Sequence, residues 1–139
     1  MTLAHPQDDT VHRLARDENP MLTQWARFKS RFAEAMDDAS LYTIDDLEQR
    51  IATRRAFLFA GKDAAVVAEP QDYPGGAKAM QVLWACGDLA EIVALAPGIE
   101  AMARMIGCTK MIVEGQKGWE RVLKPQGYEF FSVTVAKEL

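Results

Sequence analysis

The fold is decided by the stretch GCTKMIVEGQKGWERVLKPQGYEF, residues 107–130. Gly107 is placed to stop a helix, because glycine adopts the left-handed conformation that ends a helix at little cost. The short apolar run Lys110–Val113 is typical of a buried strand. Residues Gly118–Lys124 predict a short helix, and a glycine turn then leads into a last strand, Tyr128–Ala136. This stretch therefore predicts the end of one helix, a buried strand, a short helix and a final strand.

Two helices are predicted ahead of the first strand. Residues Met21–Asp37 place apolar side chains three and four residues apart, which is the period of an amphipathic helix. The buried stripe of this helix is expected to carry three aromatic residues, Trp25, Phe28 and Phe32. The run Asp37-Asp38-Ala39-Ser40 is expected to end it. Thr43 is a suitable N-cap for a second helix, because carboxylates follow it in the first turn, where the helix dipole favours them.

Three strands and a long helix are predicted between these helices and residue 107. The runs Ala56–Ala60 and Ala64–Glu69 predict a hairpin, because a short glycine-containing link joins them. A third strand is expected over Lys78–Ala85, and helical character over Asp88–Met105, where Pro97 either kinks one helix or starts a second. The passage from the third strand through this helix to the fourth strand has the length of a parallel crossover. With hairpins before it and an antiparallel strand after it, the chain predicts an α+β domain with a mixed sheet and helices on both faces.

Composition restricts the class of protein. The chain has 139 residues and a net charge of −4, which fits one domain and shows no basic excess for nucleic-acid binding. Cys86 and Cys108 lack metal-ligand spacing, so free buried thiols are predicted. No apolar run reaches the ~20 residues that a membrane helix needs, and the N-terminus lacks the pattern of a signal peptide. We therefore expect a soluble protein made in the cytoplasm, with no membrane or nucleic-acid partner.

The N-terminal segment differs in character from the remainder. Residues 1–20 are polar, contain two prolines and show no sustained hydrophobic period, so they predict an arm that orders only against a partner. His5 and His12 lie seven residues apart in this arm and make a poor metal site. The predicted division is an arm over residues 1–20 and a single domain over residues 21–139.

The element order of the last third, with the Gly127-Tyr128 pair before the final strand, resembles the C-terminal half of the GNAT (Gcn5-related N-acetyltransferase) fold. The run from Lys117 to Leu123 resembles a Gly-Trp-(Glu/Ala)-Arg-x-Leu signature of small GNAT-like proteins encoded by tailed bacteriophages. This resemblance extends over roughly residues 57–135. It implies a GNAT-like mixed sheet and favours a phage origin.

The resemblance also indicates where acetyl-CoA would bind. GNAT enzymes hold its pyrophosphate on backbone amides in a Gln/Arg-x-x-Gly-x-Gly/Ala segment that leads into a helix. In this chain only Gly87 matches that segment, since Trp84 replaces Gln or Arg and Leu89 replaces a small residue. Asp88 is expected to cap the helix with its own carboxylate, which would meet an incoming phosphate as a like charge. The cradle is therefore predicted to be degenerate, and the alternative is a cradle rebuilt from other residues.

Residues that would carry acetyl transfer are also missing from the pattern. The tyrosine that many GNAT enzymes use as an acid corresponds to Leu123, which cannot transfer a proton. Tyr128 corresponds to a structural aromatic residue of the family. Three carboxylates near predicted strand ends are candidate bases, and no spacing selects one of them: Glu69, Asp72 and Glu114. Cys86, at a strand end before a helix, is expected to be a packed thiol rather than a nucleophile.

Trp119, Glu120 and Arg121 form the most phage-like feature. One interpretation is that Trp119 anchors the short helix in the core while its charged neighbours are solvated. The other is that this helix contacts a virion partner, since Trp and Arg are favoured at interfaces.

The residues and the resemblance together predict a virion-associated or assembly protein of a bacteriophage, built on a GNAT-like scaffold, without acetyltransferase activity and without a cofactor. Its partners would be phage structural proteins or further copies of itself, in the cytoplasm of the host bacterium and in the virion. The alternative is a divergent N-acyltransferase that uses acetyl-CoA. A host-takeover binding module is a third class, which only the acidic charge favours.

Overall fold

A computed structural model describes residues 19–36, 41–114, 118–132 and 134–139. Most of the predicted arm, at residues 1–18, and the predicted end of the first helix, at residues 37–40, lie outside them. The helices and strands follow one another in the order α1 (Met21–Ala35), α2 (Ile44–Ala52), β1 (Phe57–Ala60), β2 (Ala64–Asp72), β3 (Lys78–Gly87), α3 (Leu89–Met105), β4 (Lys110–Val113) and α4 (Gly118–Leu123), with a 3₁₀ turn at Lys124–Gln126.

The first two helices form as their sequence patterns predict. In α1, the three aromatic residues Trp25, Phe28 and Phe32 are buried on one face. The rings of Trp25 and Phe32 stack with 5.2 Å between their centroids. In α2, Thr43 accepts a hydrogen bond from the Asp46 amide, and the Asp46 carboxylate accepts one from the Thr43 amide, so both ends of a capping box are present.

The strands form one mixed sheet in the order β1-β2-β3-β4. The predicted hairpin is confirmed, because β1 and β2 are antiparallel and joined by residues 61–63. β2 and β3 are also antiparallel, with a register shift that leaves Leu83 as an extra residue on β3. β4 pairs parallel to β3, as the crossover length predicted. Pro97 lies inside α3, which continues through it as one helix.

Helices cover both faces of the sheet. α1 and α2 pack on one face against a core that includes Leu58, Val67 and Leu83. α3 packs on the opposite face through Ile99 and Ala103, against the residues of the central strands. This layered α+β arrangement confirms the predicted fold class. It also leaves β4 at one edge of the sheet.

The packed domain begins ahead of α1. Asn19 is buried, and its side-chain amide donates a hydrogen bond of 2.8 Å to the Ile51 carbonyl near the end of α2. The Asn19 carbonyl in turn accepts from the Leu22 amide in the first turn of α1. Asn19 therefore ties two helices together, although it lies within the segment predicted as the arm.

The predicted last strand, Tyr128–Ala136, is wrong for the residues that the structure describes. Residues 128–132 and 134–139 have no regular secondary structure, and all of them except the half-buried Tyr128 are exposed. The alternating pattern is present in the sequence, but a strand needs a partner, and within the described residues no strand lies on the outer side of β4. The expected antiparallel end of the sheet is therefore absent from the described part of the chain.

Candidate functional site

A groove lies where β3 extends beyond β4. The two strands are paired from Ala79 with Lys110 to Val82 with Val113, and β3 then continues to Gly87. The space beyond Val113 is a groove of about 290 Å³. Its walls are mostly apolar and come from β3, β4, α3 and α4. The offset in strand length therefore produces an apolar ligand-sized space at the centre of the sheet.

Part of the main chain of β3 lies beside this groove. The β-bulge at Leu83 interrupts the pairing of β3 with β2, on the side of β3 away from β4. Past Val82, β3 has no strand beside it on the β4 side in the described residues. Its main-chain amides and carbonyls on that side are thus available to an extended ligand with amide groups of its own.

Asp88 is the only residue between β3 and α3. Its carboxylate accepts a hydrogen bond of 3.0 Å from the Glu91 amide, which confirms Asp88 as the N-cap. The Asp88 amide donates to the Asp63 carbonyl, also at 3.0 Å. The strand–helix junction is therefore held against the β1–β2 turn, and no loop separates β3 from α3 to wrap around a phosphate.

Glu91 closes the same junction from the helix side. Its carboxylate accepts a hydrogen bond of 2.9 Å from the Asp63 amide in the β1–β2 turn. Two carboxylates, those of Asp88 and Glu91, thus lie in the first turn of α3, where the helix dipole would otherwise attract an anion. Glu91 was not predicted as a site residue from the sequence, although its place three residues after the N-cap is a familiar capping position.

Gly87 has a structural reason to be glycine at this junction. Its φ angle is +101°, in the region that side chains disfavour. A Cβ atom at this position would overlap the Asp63 carbonyl oxygen and would lie 2.6 Å from the Cα atom of Ala64. The one glycine that matches the acetyl-CoA pattern is therefore required for close packing of the junction on the hairpin turn.

The other predicted cradle residues lie on different surfaces. Trp84 is half-buried and lines the groove, whereas Leu89 is 48% exposed at the start of α3. They do not converge on a single pocket with Gly87 and Asp88. The degenerate cradle remains a prediction, for which the geometry of the junction supplies a physical basis.

No strong proton donor lies at the position of the family's acid. Leu123 is buried and lines the groove. The Tyr128 hydroxyl also reaches the groove region but donates a hydrogen bond of 2.9 Å to the Glu100 carboxylate on α3. Burial, together with this hydrogen bond and the charge of Glu100, raises the pKa of Tyr128 well above its ordinary value of 10. Tyr128 is thus a weaker acid than a free tyrosine.

The three candidate bases are in different surroundings. Glu69 is buried, and one of its oxygens accepts hydrogen bonds of 2.7 Å from both Arg50 and Gln71. Asp72 is exposed at the end of β2. Glu114 is exposed and is the one charged residue among the described residues that line the groove. Of the three candidate bases, Glu114 is therefore the carboxylate that a ligand in the groove would contact.

The cysteines are packed thiols. Cys86 is 5% exposed within the core beneath α1 and α2. Burial raises the pKa of the Cys86 thiol, outweighing a lowering contribution from a hydrogen bond with the Ala65 backbone. Burial likewise raises the pKa of Cys108. A raised pKa at each cysteine opposes formation of the thiolate that nucleophilic chemistry requires.

The predicted partner-contact residues lie on α4. Trp119 is half-buried and lines the groove, while Glu120 and Arg121 are exposed. Trp119 belongs to neither of the two buried clusters of the core. Trp119 therefore fits both interpretations in part: its covered surface suits an anchor of the short helix, and its open surface suits a contact with a partner.

The described residues show neither a metal-ion site nor a membrane-spanning helix. They contain no group of three or more His, Cys, Asp and Glu side chains that could hold a metal ion. None of the helices there is long and apolar enough to cross a bilayer.

Comparison with known proteins identifies the architecture. Neither a protein-family model nor a curated protein sequence matches the chain, but solved structures do. A GCN5-related N-acetyltransferase from Ralstonia eutropha JMP134 is similar over 84% of this chain and 93% of its own, with 15% identity and a TM-score of 0.63. An acetyltransferase from Trypanosoma brucei is similar over 84% of this chain and 94% of its own, with 13% identity and a TM-score of 0.60.

A third similar structure is the glucosamine-6-phosphate N-acetyltransferase of Arabidopsis thaliana, with 12% identity and a TM-score of 0.59 over 80% of this chain and 88% of that one. Identities this low show a shared fold and leave the activity open. The chain therefore has a GNAT-like fold, with the resemblance extending beyond the C-terminal region from which it was predicted.

Proposed function

We propose that this protein uses a GNAT-like scaffold without transferring acetyl groups from CoA, and that it acts by binding a partner. One observation carries the proposal: the start of α3 is closed by the carboxylates of Asp88 and Glu91, both held by hydrogen bonds at 2.9–3.0 Å. A pyrophosphate at this helix end would have to displace bonded carboxylates and then remain among like charges.

The partner that we propose is a structural or assembly protein of a tailed bacteriophage. The support is the sequence run from Lys117 to Leu123, which resembles a signature of small phage GNAT-like proteins. The exposed Glu120 and Arg121 and the half-buried Trp119 lie together on α4, and such a combination suits an interface anchor with a polar rim. Mass spectrometry of purified particles of a phage that encodes this chain tests the proposal. Absence of the protein from those particles would contradict a virion role.

Loss of cofactor binding is tested by titration calorimetry with acetyl-CoA and CoA. We expect no binding tighter than about millimolar, which corresponds to roughly 4 kcal/mol. The matched variant Asp88→Asn/Glu91→Gln preserves side-chain size and removes both negative charges. If these carboxylates exclude phosphate, the variant should gain affinity for CoA relative to the unmodified protein. Micromolar binding of acetyl-CoA by the unmodified protein would overturn the proposal.

A second candidate function is a divergent N-acyltransferase, which the groove of about 290 Å³ favours. Its apolar walls and the free backbone edge of β3 suit a narrow chain with amide groups, such as the pantetheine arm of an acyl-CoA. Glu114 would then be the base that takes a proton from an acceptor amine.

The two candidates make opposite predictions for pantetheine, which lacks the CoA nucleotide and its charged phosphates. If the groove accepts the arm while the junction repels phosphate, pantetheine should bind at least as tightly as CoA. An acyltransferase with a rebuilt cradle should prefer CoA instead. It should also acetylate amines in a mass-spectrometric assay, and Glu114→Gln should lower that rate with little change in acetyl-CoA affinity.

A further inference from the structure

The groove beside β3 contains a stretch of main chain with no strand next to it in the described part of the structure. β3 pairs with β4 only as far as Val82, and residues 83–87, called here the free edge, continue past that point. Their length is about 17 Å at roughly 3.3 Å per residue. On its other side the free edge is still paired with β2, from Trp84 to Gly87. It is therefore already held in an extended conformation, with main-chain groups open towards the groove.

The walls around the free edge are mostly apolar. α3 contributes Ile92, Ala96 and Ile99 to them, and α4 contributes Trp119 and Leu123. The volume of about 290 Å³ is at the small end of the range for ligand pockets, which is roughly 300–1,000 Å³. The groove therefore suits a narrow chain or a few apolar side chains.

Glu114 places a negative charge at the inner end of the free edge. It directly follows Val113, the last residue of β4 that pairs with β3. Glu114 is exposed, whereas Tyr128, the other ionisable residue among the described residues of the lining, has its hydroxyl bonded to Glu100. A ligand that lies along the free edge and ends near Val113 would therefore meet a carboxylate, which favours a basic group.

Two kinds of narrow chain carry amides that could bond to the free edge, a peptide and the pantetheine arm of CoA. CoA would bring its phosphates towards the carboxylates at the start of α3, and its arm has no cation for Glu114. A peptide presents a donor and an acceptor at every residue, and four or five residues match the length of the free edge. The charge and the length of the site both favour the peptide.

We propose that the groove binds an extended segment of a partner protein, which adds a strand beside the free edge. Its apolar side chains would contact α3 and α4, and a lysine or arginine would lie beside Glu114. In this mode of recognition the main-chain hydrogen bonds give affinity, and the side-chain contacts give specificity. The inference rests on the proposed function, in which the protein acts by binding a partner, and it names the chemistry that the partner presents.

Two-dimensional amide NMR of the isotope-labelled full chain, titrated with capped five-residue peptides, tests this inference. The peptides carry a lysine at one end or the other and four residues drawn from valine, leucine and threonine. We expect saturable shifts at the amides of residues 83–87 and a dissociation constant below about a millimolar for the best peptide. Successive amides of a strand point to opposite sides, so N-methylation of alternate peptide nitrogens should weaken binding about tenfold or more in one of the two patterns.

Glu114 variants test the charge contact, and the exposure of Glu114 means that they should keep the fold. Replacing the peptide lysine by glutamine should weaken binding to the unmodified protein by about two- to fivefold, as expected for an exposed ion pair. The same replacement should have no effect on binding to Glu114→Gln. A peptide with glutamate in place of lysine should bind Glu114→Lys more tightly than it binds the unmodified protein.

Three results would overturn the inference. They are no peptide binding tighter than about millimolar, shifts at β1 (Phe57–Ala60) in place of the free edge, and affinities unaffected by either pattern of N-methylation. Pantetheine binding without peptide binding would also overturn it, in favour of the acyltransferase. Micromolar binding of acetyl-CoA, or absence of the protein from phage particles, would contradict the proposed function but would leave peptide binding at residues 83–87 intact.

Discussion

Replacing Gly87 by alanine tests whether the strand–helix junction is packed shut. The change introduces a side chain at a φ of +101°, which costs about 1–2 kcal/mol. The new methyl group also overlaps the backbone of residues 63 and 64 in the β1–β2 turn, and forcing extra volume into a packed site costs about 1–3 kcal/mol. If the turn moves away, the bond from the Asp88 amide to the Asp63 carbonyl is lost, at about 1 kcal/mol.

These contributions place the loss of unfolding free energy for Gly87→Ala at about 3–6 kcal/mol. Urea denaturation followed by tryptophan fluorescence measures it. Gly76→Ala is the matched control, because Gly76 has a similar φ of +93° with nothing within 4 Å of an added Cβ atom. The control should lose only the conformational contribution, about 1–2 kcal/mol. Equal losses in the two variants would refute the close packing of the junction and would restore ligand approach as the reason for glycine at position 87.

Three further predictions follow from other contacts. Trp25→Ala should cost about 3–5 kcal/mol, because Trp25 is 1% exposed, whereas Trp119→Ala should cost clearly less in the same urea assay, because Trp119 is half-buried; equal losses would make Trp119 a core residue. Burial, followed by the hydrogen bond to Glu100 and the charge of Glu100, raises the pKa of Tyr128, so the neutral phenol contributes stability that is present below pH 10 and is lost as pH rises above it; in alkaline titration by ultraviolet absorbance, Tyr128 should ionise above the ordinary tyrosine pKa, and Glu100→Gln should lower its pKa only part of the way, because the burial remains. Deleting residues 1–18 should leave the melting temperature almost unchanged, whereas Asn19→Ala should lower stability by about 1–2 kcal/mol through the lost bond to Ile51; a large effect of the deletion would place the arm in the core.

The sequence predicted those elements whose signals are local. The aromatic stripe of α1, the capping box at Thr43 and the Asp88 cap depend on residues within one or two turns of each other. The parallel pairing of β3 and β4 followed from the length of the crossover. The presence of these elements and their order were therefore predictable from the sequence, although β3 runs two residues past its predicted end at Ala85.

The features that the sequence did not predict depend on distant partners. The period of Tyr128–Ala136 is that of a strand, but the presence of a partner beside β4 cannot be read from the period. The groove depends on where β4 ends relative to β3. Glu114 became distinct from Glu69 and Asp72 only when the sheet placed it beside this groove. These features depend on residues that are far apart in the sequence, so the residue types alone did not predict them.

The energies at the start of α3 give a physical reason why, on the proposed function, a GNAT-like fold would persist without binding acetyl-CoA. The fold depends on two buried clusters, one on each face of the sheet, and neither includes Asp88 or Glu91. A phosphate cradle, by contrast, depends on a few free amides at one helix end. Capping those amides with Asp88 adds about 1 kcal/mol of stability, and the Glu91 carboxylate bonded to the β1–β2 turn fastens the same helix to the hairpin. If the proposal holds, the same carboxylates that would exclude a phosphate also strengthen the fold locally, so selection for stability alone would favour this junction in a chain that does not transfer acetyl groups.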